Sequence, residues 1–79
     1  MELYELYQRA MQKGYRLWIT QSHLSWKITI DFHKQINKEM VSGTYVFNVK
    51  EFQNRDVFLE KYKRAEREFL QKVAEYGHT

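Results

Sequence analysis

Two segments of the chain, residues 2–13 and 55–76, carry apolar residues at steps of three and four with polar residues between them. In the first segment these positions are Leu3, Leu6, Tyr7 and Ala10. In the second they are Phe58, Tyr62, Ala65, Phe69, Val73 and Tyr76. This spacing puts the apolar side chains on one face of an α-helix, so it predicts two amphipathic helices. Asn54 precedes the second helix and is its candidate N-cap.

Between the helices the period of alternation changes to two, as in a β-strand with one buried face. The three alternating segments lie at 15–20, 25–34 and 44–50. Their predicted inward residues are Tyr15, Leu17, Ile19, Trp26, Ile28, Ile30, Phe32, Tyr45, Phe47 and Val49. The pattern predicts an α+β fold of order α-β-β-β-α, a three-stranded antiparallel meander with two helices packed on one face.

The second hairpin is predicted to turn at Asn37-Lys38. In that register Phe32 lies opposite Gly43, and every inward residue meets an inward partner on the neighbouring strand. An alternative puts the turn at Ser42-Gly43 and separates a short strand before it.

The first hairpin is predicted to turn at Ser22-His23. Trp18 then lies beside Lys27, and Ile19 faces Trp26, so the two strands again agree in which side chains point inward. The middle segment becomes the central strand, and both helices are expected to cover the face that carries Trp26.

The opposite face of the sheet is the candidate binding surface. Its predicted partner-binding residues are Arg16, Trp18, Lys27, Thr29, Asp31, His33, Val46 and Lys50. Tryptophan is enriched among the residues that dominate protein–protein binding energy, so Trp18 is the expected anchor. The alternative is a solvated face on which Trp18 packs against the aliphatic stem of Lys27.

Length and charge restrict the classes of function. The chain has 79 residues, which predicts a single domain, 1–79, with a thin core. Its net charge of +3 comes from bases interspersed with acids, which is too even a distribution to indicate nucleic-acid binding by charge alone. Cysteine is absent and no apolar run approaches the ~20 residues of a membrane span, so we expect a cytoplasmic protein with no membrane association.

Few residues offer catalytic or metal chemistry. Ser22, His23 and Asp31 are the residue types of a nucleophilic triad, but adjacent turn residues rarely direct a serine at a histidine ring. Asp31 and His33 share a strand face, yet no third metal ligand is evident. We therefore expect no enzymatic activity and no cofactor.

The charged residues of the second helix favour a solvated surface. Glu66 and Glu68 lie near Arg64 and Arg67 in sequence, and pairs of this kind usually serve solubility. Both glutamates are therefore predicted to lie on the helix surface.

The predicted order of elements resembles that of the double-stranded-RNA-binding domain family. In that family the second helix begins with a lysine cluster, whereas residues 54–61 contain only Arg55 and Lys61 as bases. The family's Gly-Pro-x-His loop corresponds to residues 21–24, which keep His23 but lack the glycine and proline. Nucleic-acid binding is thus the alternative function, and its expected phosphate contacts are Arg16, Lys27, Lys50 and Arg55.

The chain also resembles small accessory proteins of phages and other mobile elements, which are short, cysteine-free and rich in aromatic residues. That resemblance implies binding to one host protein, as an inhibitor or adaptor. The leading hypothesis is therefore a non-enzymatic protein-binding module with an unidentified protein partner. Homodimerisation through the edge strands at 15–20 and 44–50 is a further alternative.

Overall fold

The computed structural model of the chain describes residues 3–22 and 26–76. Its elements are α1 (Leu3–Lys13), β1 (Arg16–Gln21), β2 (Lys27–Ile36), β3 (Glu39–Asn48), α2 (Val49–Gln53) and α3 (Arg55–Tyr76). The strands form one antiparallel sheet in the order β1-β2-β3. The α+β class and the three-stranded meander flanked by helices are confirmed, with β2 as the central strand.

The second hairpin has the predicted register. Ile28 lies opposite Phe47 and Phe32 lies opposite Gly43. The turn is at Asn37-Lys38, where Asn37 has a φ of 57°, a conformation that asparagine tolerates better than most residues. The alternative turn at Ser42-Gly43 is wrong, since both residues lie within β3.

The first hairpin differs from its prediction by four residues of register. Trp18 lies opposite Asp31, not beside Lys27. The backbone N–H of Ser22 donates to the carbonyl of Lys27 at 3.3 Å, so the connection is longer than a two-residue turn at Ser22-His23. His23 itself lies outside the described residues.

The shift leaves the two faces of the sheet unchanged, because four is an even number and side chains alternate with a period of two. It places Leu17 opposite Phe32 and Ile19 opposite Ile30. Trp26 then lies beyond the end of β1, and it is 80% exposed although its alternation predicted burial. The predicted pairing of Ile19 with Trp26 is therefore wrong.

The core lies between the helices and the face of the sheet that carries Ile28, Ile30 and Phe32. Phe32 is fully buried and stacks on Phe69 of α3, with 5.3 Å between the ring centroids. Aromatic side chains supply large apolar area in a domain of this size, which stabilises a thin core. Coverage of this face by the helices is confirmed, with Trp26 as the exception.

A short helix follows β3 where the sequence pattern predicted more strand. The Asn48 side chain accepts a hydrogen bond from the Lys50 backbone N–H at 3.0 Å, and Glu51 accepts one from the Asn48 N–H at 3.3 Å. This capping box begins α2, so Val49 and Lys50 do not belong to the sheet. At the next helix, Asn54 accepts from the Val57 N–H at 3.3 Å, as its predicted capping role requires.

Glu66 is buried, with 2% of its surface exposed, so its predicted surface position is wrong. Its carboxylate accepts hydrogen bonds from Arg9, Lys13 and Tyr15, whose hydroxyl is also 2.8 Å from the hydroxyl of Tyr62. Glu66 follows Tyr62 by one helical turn and therefore shares the inward side of α3. Proximity in the sequence indicated Arg67 as a partner of Glu66. Its cationic partners are instead Arg9 and Lys13 of α1, which are distant in sequence.

Candidate functional site

The sheet has one face that the helices do not cover, here called the open face. It is formed by alternate residues of the strands: Arg16, Trp18, Thr20, Lys27, Thr29, Asp31, His33, Gln35, Met40, Ser42, Thr44, Val46 and Asn48. Every predicted binding residue lies on it except Lys50, which is in α2 because the capping box at Asn48 ends β3. The sequence pattern thus identified most of this surface.

Trp18 is the largest side chain on the open face and is 68% exposed. Its ring meets the imidazole of His33 edge-on, with centroids 5.3 Å apart and an interplanar angle of 89°. This contact orients the indole while leaving most of it accessible. Val46 is 51% exposed on the far strand, so apolar surface is available on both sides of β2.

Polar side chains between these apolar groups are joined across the strands. The Thr44 hydroxyl donates to the Asp31 carboxylate at 2.6 Å. Asp31 also lies opposite Trp18 on the other side, so Trp18, Asp31 and Thr44 form one row across the sheet. The Asp31 carboxylate already accepts a hydrogen bond from Thr44. The free-energy cost of desolvating this carboxylate under a bound partner is therefore lower.

The cations of the open face stand at its two ends. Arg16 lies opposite His33 at one end, and Lys27 lies opposite Asn48 at the other. Of the other two expected phosphate contacts, Lys50 is in α2 and Arg55 is in α3. The four bases therefore do not follow one continuous stripe, which is the usual footprint of a nucleic-acid interface.

The second tryptophan of the chain occupies a different surface. Trp26, at 80% exposed, lines a cavity of about 470 Å³ together with Asn48, Val49, Lys50 and Gln53. Trp26 precedes β2, and its carbonyl accepts a hydrogen bond from the Val49 N–H at 3.0 Å, so it lies beside the start of α2. Strand alternation could not reveal this surface, because it depends on where β1 ends and α2 begins.

The buried network around Glu66 has strongly shifted ionisation. Burial alone would raise the pKa of Glu66, but hydrogen bonds from Arg9, Tyr15 and Lys13 outweigh it and lower that pKa to about 2. Burial raises the pKa of Tyr62 to about 12, and burial together with the bond to Glu66 raises that of Tyr15 further. Glu66 is thus a permanent buried anion near neutral pH, matched by two cations.

Catalytic and metal-ligating residue types are few in the described part of the chain. Asp31 and His33 lie on the open face as predicted, but the described residues contain no group of three or more acidic, histidine or cysteine side chains placed to hold a metal ion. Ser22 follows β1, whereas His23, its predicted neighbour in a triad, is outside the described residues.

Comparisons of the chain with protein-family models, with curated proteins and with solved structures found no match. Among the helices that the structure describes, none is long and apolar enough to cross a membrane. The functional interpretation therefore rests on the geometry of the open face.

Proposed function

We propose that this protein is a non-enzymatic module that binds another protein through the open face, as an inhibitor or adaptor. The observation that carries the proposal is Trp18, which is 68% exposed on the open face of the edge strand β1 and oriented by His33. Exposed, oriented aromatic rings lose little conformational entropy on binding, which makes them effective anchors.

The surroundings of Trp18 favour a protein over a nucleic acid. Val46 and the threonine methyl groups supply apolar contact, while the Asp31 carboxylate would oppose a phosphate backbone laid across the same row. The centre of the face combines apolar and polar side chains, and the cations Arg16 and Lys27 lie towards its opposite ends. That arrangement is typical of protein–protein interfaces.

The open face by itself is small for a stable interface. Three strands about 4.8 Å apart, each roughly 20–33 Å long, give a face of about 400 Å². Two copies packed face to face would bury about 800 Å² in total, below the roughly 1,200–2,000 Å² of stable interfaces. We therefore infer that the partner also contacts a sheet edge or a neighbouring loop.

The direct test is affinity capture from a host lysate with quantitative mass spectrometry, using wild type, Trp18→Ala and Trp26→Ala. The second variant is a matched control, because it removes the other exposed tryptophan, which lies outside the strands beside α2. A protein retained by wild type and Trp26→Ala but lost with Trp18→Ala supports the proposal. Equal retention by wild type and Trp18→Ala contradicts it.

A salt titration separates the nucleic-acid alternative. Binding to RNA or DNA through phosphates weakens with log[salt] at a slope of roughly 0.7–0.9 per phosphate neutralised. We expect no measurable oligonucleotide binding at low salt. Tight oligonucleotide binding that has such a salt dependence and is weakened by Lys27→Glu would contradict the proposal. It would show that the partner is a nucleic acid.

A further inference from the structure

A cleft lies at the edge of the sheet where β1 begins, next to the junction between α1 and β1, and residues from both faces of the sheet line it. Strand β1 begins at Arg16 opposite His33, whereas β2 continues to Ile36. The cleft has a volume of about 280 Å³, near the lower limit for ligand pockets, and so suits a small group. It is lined by Gly14, Tyr15, Arg16, His33, Lys34, Gln35 and Met40.

The nitrogen-bearing side chains of this cleft have no acidic counterpart. Arg16 and Lys34 are cations and His33 can donate from its ring, but none of the lining residues is a carboxylate. Within the described part of the chain, neither Arg16 nor Lys34 forms an ion pair, whereas Arg9 and Lys61 do. The cleft is therefore a positively charged concavity whose donors are available.

Gly14 makes room for this arrangement. It ends α1 with a φ of +82°, and its N–H donates to the Met11 carbonyl while that of Tyr15 donates to Ala10. These two bonds form a Schellman motif, which favours glycine at this position. A β-carbon built on Gly14 would lie 3.5 Å from Lys34 Nζ, so the ammonium sits directly against this backbone.

Lys34 also faces the carboxyl end of α1, whose partial negative charge it opposes. That role accounts for the position of Lys34 without any ligand. It does not account for Arg16, which belongs to β1 and points to the open-face side. Arg16 is therefore the residue that distinguishes a binding site from a helix cap.

The same molecule already contains an oxyanion bound by a comparable set of donors. Arg9 and Lys13 of α1 bind the carboxylate of Glu66, with N–O distances of 2.8 and 2.9 Å. The Arg16 cleft offers an arginine and a lysine too, but lacks an internal carboxylate. An external carboxylate or phosphate would satisfy its donors in the same way.

We propose that the cleft formed by Gly14, Arg16, His33 and Lys34 is a binding site for an oxyanion carried by the partner protein. The assignment of the oxyanion to a partner protein rests on the proposed function. The ability of the cleft to bind an oxyanion does not, and it can be tested with free ions. A guanidinium presents its donors as a planar fork that matches a carboxylate or phosphate, which makes Arg16 the main contact. Trp18, two residues further along β1, would then pack against an apolar residue of the partner that lies next to its oxyanion.

The test is a two-dimensional NMR titration of the intact chain with inorganic phosphate, and separately with acetate. We expect saturable shifts confined to the backbone amides of residues 14–16 and 33–35. Arg16→Gln should weaken phosphate binding about tenfold, the effect of losing one charge-assisted hydrogen bond. Arg64→Gln is the control, since it removes the same charge from the exposed surface of α3 and should leave binding unchanged.

The outcomes separate the sources of the oxyanion. Comparable binding of acetate indicates an acidic side chain or chain terminus of the partner, and binding of phosphate alone indicates a phosphorylated residue. Shifts that never saturate, or equal weakening in Arg64→Gln, would overturn the site. If phosphate binds in the cleft while Trp18→Ala still captures every protein that wild type captures, the site stands and the proposed function fails.

Discussion

The carboxylate of Glu66 in α3 accepts two hydrogen bonds from the guanidinium of Arg9 in α1, from Nε at 2.8 Å and from Nη2 at 2.9 Å. Only two described side chains of α1, Leu6 and Ala10, are buried, so the apolar contact of this helix is small. The bidentate pair therefore adds a polar contact between α1 and α3 to the small apolar contact of α1.

Replacing Glu66 by glutamine should destabilise the fold by about 3 kcal/mol, because it leaves the charges of Arg9 and Lys13 beside a buried site without their anion. The measurement is urea denaturation at neutral pH followed by circular dichroism. Glu68→Gln is the matched control two residues away on the exposed side of α3, and it should change stability by no more than about 0.5 kcal/mol. Equal effects of the two substitutions would show that the Glu66 network contributes little.

The stabilisation by Glu66 should disappear in acid. Its pKa is about 2 in the folded protein against an ordinary value of 4.5, so the unfolded chain binds the proton first as pH falls. The contribution is therefore fully present above pH 4.5 and is lost progressively towards pH 2, and such a shift corresponds to about 3 kcal/mol. The difference in unfolding free energy between wild type and Glu66→Gln should narrow across this interval, and a difference independent of pH would contradict the assignment.

The register of the first hairpin can be tested with cysteines, since the chain has none of its own. Thr20 and Thr29 lie opposite each other on the open face, so the double variant Thr20→Cys/Thr29→Cys should form a disulfide under mild oxidation. In Thr20→Cys/Lys27→Cys the second cysteine is displaced by two residues, which lengthens the Cα separation to roughly 7–8 Å and disfavours the bond. Preferential oxidation of the second pair would indicate a different register.

The sequence predicted the helices and the two faces of the sheet because these depend on local periodicity. The second register was also predictable, since a two-residue turn at Asn37-Lys38 leaves little freedom. The first register was not, because a shift by four residues preserves every inward position. The two registers differ only in which residues of β2 lie opposite Leu17 and Ile19, and in the length of the connection.

Other features required contacts between distant elements. The position of Glu66 depends on Arg9 and Lys13, which lie more than fifty residues away. The exposure of Trp26 depends on where β1 ends. By contrast, the start of α2 could have been recognised, because Asn48 and Glu51 have the spacing of a capping box. Of the predicted binding residues only Lys50 lies off the open face. It belongs to α2, whose capping box was not recognised in the sequence.

The open face is tested most directly by observing the two tryptophans separately in the partner complex. The chain labelled with fluorotryptophan should give two fluorine NMR resonances, which Trp18→Phe and Trp26→Phe assign, and unlabelled partner is silent. Before binding, both resonances should respond to solvent, since the rings are 68% and 80% exposed. With the captured partner, we predict that the Trp18 resonance shifts and loses its solvent response while that of Trp26 is unchanged. Protection of Trp26 with Trp18 still open to solvent would contradict the account.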